Sequence, residues 1–391
     1  MRSTADRRRV VVTGLAAMAG GAGDPESFAT MLRQGVPQLA VPLATPALEA
    51  GTLRQLGRGA SRSLQATVAV AQQALAAARI PAEDVGIVIA GSNLQLGRAW
   101  QAYEKYRVEP AYLSPRHGYE FYDTHVMALL SELLGLRGPG FTVGGASASG
   151  NVAIMAGLDM VRHGRAAACL VVGPLLELSP VERQALGRMG ALAPEGRDCR
   201  PFDRSAAGFV PGEACAAVLL ESEGSAAARA ASPLAEIAGA WSGLGGSHLP
   251  APDADSELRA MVGALADAGA DLAEIDYISA HATSTPAGDA VECEAVRRLL
   301  GARAREVPVN ATKSLVGHAL HAAGVVELVA LVLQMRGGFV HGTAGLSDPI
   351  ADDLWLVGPQ GLDRPIGLGL SNSFGFGSIA SSVAVRSIEG T

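Results

Sequence analysis

Cysteine is scarce in this 391-residue chain, and nothing about its placement suggests pairing. Cys169, Cys199, Cys215 and Cys293 form no CxxC pair and no metal-ligand spacing, and each lies in or beside an apolar run. That pattern argues against a disulfide scaffold and predicts four free, mostly buried thiols in a reducing cytoplasm. Aromatic residues make up only 4% of the chain against 48 glycines, so the core must be packed from Ala, Val and Leu with close backbone approach. Charge is thin as well. Only 18% of residues are charged, the formal balance is −7, and no long basic run exists. Nucleic acid is therefore a poor partner, and an acidic partner would need a local basic patch. Arg98, Lys105 and Arg107 are candidates only because they cluster, and a solvated face is the plainer reading of them. No stretch reads as long and apolar enough to span a membrane.

What is present is apolar residue, at 49% of the chain, which suits a large, well-buried globular body. Arg7, Arg8 and Arg9 precede VVVTGLAAMAGG, a run that can imitate an export signal. The β-branched Val10–Val12 and the break at Thr13 and Gly14 favour a first strand leaving into a glycine-rich loop instead. Strand-like runs recur at 85–91, 140–145, 168–173 and 216–222, with helical patterns between them, as at Leu64–Ala78 and Val126–Leu136. This alternation predicts α/β layers with sheets buried on both faces. A small, polar connector near 222–234 is followed by a second series that resembles the first, made up of LAEIAGAWSG, IDYISAHATS, VPVNATKS, IGLGLSNSFGFG and SSVAVRSI. The chain therefore divides into halves 1–233 and 234–391.

Four stretches carry chemistry. FTVGGASASG at 141–150 runs a strand through a cramped turn into an amphipathic helix that should bury Val152, Ile154, Met155 and Leu158. Ser147 and Ser149 stand at its N-terminus, where a nucleophile feels free N–H groups and partial positive charge, and where a plain N-cap would also stand. HATSTPAGD at 281–289 places His281 at a strand end, as a catalytic or a structural histidine. In KSLVGHALHAAG at 313–324, Lys313 precedes His318 by five residues, and His321 follows three later. A His318–His321 metal pair is conceivable, but no further ligand stands at the spacing, so no metal is expected. NSFGFG at 372–377 sets Phe374 and Phe376 around a glycine, as an aromatic gate or as two core aromatics.

With PFDRSAAGFVPGEA at 201–214, these motifs stand in the order found in β-ketoacyl-acyl-carrier-protein synthases, and the resemblance runs from VVVTG to SSVAV. It implies a thiolase-type five-layered α-β-α-β-α fold of two pseudo-equivalent halves, usually as a homodimer. It further implies a Cys-His-His site reached by a phosphopantetheine tunnel, with substrates borne on an acyl carrier protein and no cofactor held by the enzyme. By position His281 and His318 match the two histidines, and Lys313 matches a lysine supporting the second histidine region. Phe374 and Phe376 match the gate, where the Phe376 N–H joins that of residue 147 in an oxyanion hole. Thr283 and Thr285 match the pantetheine-binding loop.

The sequence departs from the condensing pattern where it matters. The usual Thr-Ala-Cys is Gly145-Ala146-Ser147, the Arg-Asp before Gly-Phe is Ala206-Ala207, and two glycines are Ala282 and His321. Such spread departures mark Ser147 as native. A thiol titrates near about 8.5 and is readily activated at a helix N-terminus. A hydroxyl needs a positioned base, so Ser147 should disable acyl loading far more than decarboxylation. The combination resembles the decarboxylating ketosynthase homologues of polyketide β-branching cassettes, cytoplasmic enzymes that turn malonyl- into acetyl-carrier protein beside a hydroxymethylglutaryl-synthase-like partner. A serine-dependent acyltransferase, a non-catalytic, chain-length-factor-like partner subunit and a condensing enzyme that tolerates serine are the alternatives.

Overall fold

The structure, a computed structural model, describes residues 7–39, 41–57 and 60–388. The first half supplies β1 (Val10–Ala19), β2 (Val85–Ala90), β3 (Gly140–Val143), β4 (Ala168–Gly173) and β5 (Ala214–Ser222). The second supplies β6 (Ala235–Leu244), β7 (Tyr277–Ser279), β8 (Pro308–Asn310), β9 (Phe339–Val340), β10 (Trp355–Leu356), β11 (Leu362–Asp363), β12 (Leu368–Gly375) and β13 (Ile379–Arg386).

The two halves repeat one topology. Strands run β3-β2-β4-β5-β1 in the first and β8-β7-β12-β13-β6 in the second, with β10 added beside β8. In each half the second strand of that order is parallel to both neighbours, and the fourth is antiparallel to both. A short antiparallel ladder, Val11 to Glu236 and Val12 to Ala235, joins them. VGIVIA and ACLVVG are buried along their whole length, as strands covered on both faces must be.

Helices complete the layers. Arg62–Ala78 packs outside β1 and β5, and Ala254–Ala268 outside β6 and β13. Between the two sheets lie Ser149–Arg162 and Ala323–Gly337, whose Ile154, Leu158, Val325 and Val329 join Val171, Val218 and Val383 in the central core. Separate cores fill the outer interfaces, one around Val68 and Ile89, the other around Met261 and Ile278. This is the thiolase-type fold.

Three expectations change. The N-terminal strand does not stop at Val12; it bulges between Val12 and Gly14 and continues, fully buried, to Ala19. The connector after Ser222 folds into a short helix, Glu223–Ala228. One segment, Leu320–Gly337, is long and apolar enough to cross a membrane by length and composition, contrary to the sequence reading. It is apolar all round because sheets cover it on both sides, and 72% of it is buried inside the fold.

The central helices meet through two glycines. A Cβ on Gly150 would lie 2.7 Å from the Gly324 nitrogen and Cα, and one on Gly324 would lie 2.7 Å from the Asn151 nitrogen. Backbone cannot yield as a side chain can, so Gly150→Ala should overpack the crossing. We expect a loss of about 1–3 kcal/mol in urea unfolding, because this crossing seats the helix that follows Ser147.

Candidate active site

The elbow forms because β3 ends at Val143 and the chain then makes one 3₁₀ turn, Ala146–Ala148, before the central helix. Ala146 takes a left-handed φ of 49°. Neither serine caps the helix. Its N-cap is Ala148, and the Ser149 hydroxyl instead donates to the Ala146 carbonyl (2.6 Å) while accepting from the Gly145 N–H (2.9 Å). Of the expected buried face, Ile154 and Leu158 are buried, whereas Val152 and Met155 are half-buried. Ala282, Ser284 and Leu320 also have positive φ. Strain of about 1–3 kcal/mol per such residue is thus concentrated around one cavity.

Ser147, His281, Thr283, Thr285, His318, Phe374 and Phe376 all line that cavity, of about 430 Å³. His318 is set by a bridge between segments: its N–H donates to the Val210 carbonyl (2.8 Å), and its carbonyl accepts from Gly212 (3.0 Å). Gly212 is required there, since a Cβ would lie 2.1 Å from the Val316 oxygen. The His318 Nε2 lies 2.9 Å from the Ser147 hydroxyl, and its Nδ1 accepts the Leu320 N–H at 3.2 Å. A neutral ring whose Nδ1 is an acceptor carries its proton on Nε2. His318 therefore donates toward Ser147 and leaves it without a base.

His281 stands just beyond β7. Its N–H and that of Ala282 donate to the two oxygens of Glu292 (2.9 and 2.7 Å). Asp289 accepts from the Ser284 and Phe202 N–H groups (3.1 and 2.8 Å) and so pins the loop. Burial raises both acids, Asp289 to about 7. Lys313 is itself buried; its ammonium donates to the His281 carbonyl (2.6 Å), lies 3.3 Å from His281 Nδ1, and pairs with buried Glu327. Its direct contact is thus with the first histidine, not the second. An ammonium only donates, so His281 Nδ1 accepts and the proton again sits on Nε2. Burial, then the Lys313 charge, hold both histidines well below the usual histidine range, so both are neutral at pH 7.

The rings of His281 and His318 meet edge to face at 5.6 Å, and Phe374 lies 5.6 Å from His281. Ser373 donates to the Ser147 carbonyl (3.1 Å), and a Cβ on Gly375 would lie 2.3 Å from the Gly145 oxygen, so the end of β12 lies directly on the elbow. The two phenylalanines part company: Phe374 is packed on His281, while Phe376 is 43% exposed. The Thr283 and Thr285 hydroxyls are 2.9 Å apart on the cavity wall. His321 directs Nδ1 to the Ala146 carbonyl (3.0 Å), whereas His318 meets the Ser147 hydroxyl and the Leu320 N–H. Arg98 is tied to Glu120 (2.6 Å) and Arg107 lies 3.8 Å from Glu104, which leaves a weaker basic patch than the sequence suggested. All four cysteines are free and buried.

Sequence reasoning missed the acids behind the histidines. Asp289, in the first turn of the helix Pro286–Leu300, looks like an ordinary first-turn acid, and Glu292 lies one turn further on like any helical glutamate. Glu327 left a clearer signal, as the one charge in AGVVELVALVLQ.

Sequence models of the β-ketoacyl synthase N-terminal and C-terminal domains match residues 58–226 and 234–347. The polyketide biosynthesis malonyl-ACP decarboxylase PksF of Bacillus subtilis strain 168 is 34% identical over 347 residues, covering 86% of this chain and 82% of that protein. A β-ketoacyl synthase from Burkholderia phymatum STM815 superposes with a TM-score of 0.88 at 27% identity, over 98% of this chain and all of the other. A ketosynthase solved in complex with its type II polyketide synthase acyl-carrier protein superposes with a TM-score of 0.86 at 27% identity, with the same coverage.

Proposed function

The chain belongs to the β-ketoacyl synthase family, and from that membership we propose that it decarboxylates malonyl groups borne on an acyl carrier protein, releasing acetyl-carrier protein without acyl loading on Ser147. The observation that carries this reading is the direction of one hydrogen bond. His318 offers Ser147 a proton rather than a lone pair, so the hydroxyl is not activated for attack. The same two neutral histidines suit a different task. Both rings line the cavity with the proton on Nε2, and an enolate oxygen formed as CO2 departs would accept from both, displacing the Ser147 hydroxyl from His318.

In this mechanism the malonyl thioester enters past Phe376 and Thr285, with its pantetheine arm along the cavity. The bond to the carboxylate carbon breaks, CO2 leaves, and the electron pair forms an enolate whose oxygen is held by His281 and His318. No acyl group waits on residue 147, so a proton rather than a carbon electrophile completes the product. The likeness to the Bacillus subtilis decarboxylase supports this outcome over condensation. As in the cassettes the sequence resembles, the acetyl-carrier protein then serves β-branching by a hydroxymethylglutaryl-synthase-like enzyme.

Intact-mass spectrometry of malonyl-carrier protein incubated with the enzyme tests the reading. Wild type should yield acetyl-carrier protein with no added mass on the enzyme. Ser147→Ala should keep its rate within about tenfold, because the hydroxyl contributes at most one neutral hydrogen bond. An acyl mass on Ser147, lost in the alanine variant together with activity, would establish the acyltransferase alternative.

A further inference from the structure

The helix Ala254–Ala268 brings one more group to the cavity. Glu257, in its first turn, lines the cavity with only 3% of its surface exposed. No hydrogen bond reaches its carboxyl among the described residues, and its Oε2 is fully buried without a partner. Neighbouring Ser256 is committed elsewhere, to Asp253 and Arg259. A buried carboxyl without partners is destabilising, so its presence requires an explanation.

Its placement supplies one. Met261, one turn further along the same face, touches the Asn372 amide (3.4 Å), which also donates to Glu292 (3.2 Å), the acid that brackets the His281 N–H. Glu257 thus stands one turn from that bracket and lines the same cavity as His281 and His318. Burial and the nearby carboxyls of Glu292, Asp253 and Asp289 push it up to about 10, so at pH 7 it holds a proton. A neutral acid neither repels the incoming malonyl carboxylate nor needs a counter-charge.

We propose that Glu257 is the proton donor that quenches the acetyl enolate. The inference rests on the decarboxylase reading and names the step that ends it. Loss of CO2 leaves the electron pair on the terminal carbon of the enolate. The Glu257 O–H bond breaks, its proton forms the new C–H bond of the acetyl methyl, and the carboxylate left behind regains a proton from water. The net change is malonyl thioester plus one proton to acetyl thioester plus CO2. Until that proton arrives, the enolate can recapture CO2.

The partition between protonation and recapture is measurable. Malonyl-carrier protein is incubated with enzyme, carbonic anhydrase and 13C-bicarbonate, and both acyl species are followed by intact mass. Wild type should give acetyl product with little label in the remaining malonyl. Glu257→Gln, the same shape without a transferable proton, should release acetyl about 10²-fold more slowly while label enters the malonyl pool. Glu257→Asp should move the partition back toward acetyl. Acetyl formation by Glu257→Gln at the wild-type rate, or an unchanged ratio of acetyl to exchange in both variants, overturns the proposal. Wild type that makes no acetyl overturns the decarboxylase reading itself, a separate result.

Discussion

Replacing His281 with alanine should slow acetyl-carrier-protein formation by about 10²–10³-fold, the cost of removing one preorganised donor from a developing oxyanion. The loss should fall on kcat with KM little changed, since the Nε2–H matters only once charge builds on the thioester oxygen. The fold has reason to survive. The Lys313 ammonium keeps its bond to the main-chain carbonyl at 281 and its pairing with Glu327, and Glu292 still accepts two main-chain N–H groups. His281→Gln, which can reach with an amide N–H, should recover part of the rate. The double variant with His318→Ala should lose less than the product of the single losses, because the two donors serve one oxygen. Intact-mass time courses read all four. A His281→Ala enzyme within a few-fold of wild type would remove enolate stabilisation from the mechanism.

The loops that line the cavity were legible because each is short and carries its candidate residues contiguously. Ser147, His281 and His318 lie at the ends of strands or helices whose apolar runs announce themselves, and motif order alone brings them together. The repeated halves were equally plain, as two series of buried strands. What escaped depends on packing between distant segments. Lys313 reads as a neighbour of His318 along the chain, but the short turn Lys313–Val316 directs it to His281. Glu257 looks like a first-turn acid after Asp253, and only the packing of its helix on β12 and β13 turns it into the cavity. The helix Ala323–Gly337 has no polar face by which periodicity could reveal its position between two sheets. The tautomers of His281 and His318 are set by an ammonium and a main-chain N–H that no spacing rule locates.

Removing the Lys313 charge separates the structural and chemical roles of the buried pair. Lys313 and Glu327 are 1% and 2% exposed, and breaking such a pair leaves an acid stranded in the core. Burial already raises Glu327 to about 7 even though the ammonium lowers it, so Lys313→Met should raise it further. A group whose folded value lies above its unfolded one favours the fold when protonated and loses that contribution as pH rises. Below about pH 7 Glu327 is neutral in both proteins, and the variant should unfold near wild type. Above it the gap should widen by about 1.4 kcal/mol per pH unit, toward about 3–5 kcal/mol. Urea unfolding at pH 6 and pH 9 measures this directly. Adding Glu327→Leu replaces the pair with apolar residues and should restore stability and abolish the pH dependence. Activity should not return with it. His281 would still lack the donor that holds Nδ1 and the main-chain carbonyl, and a displacement near 1 Å at such a donor costs about 10²-fold in rate. A stable double variant with wild-type turnover would reduce Lys313 to a packing element. A stable but slow one identifies the ammonium as the group that orients His281 and keeps it neutral.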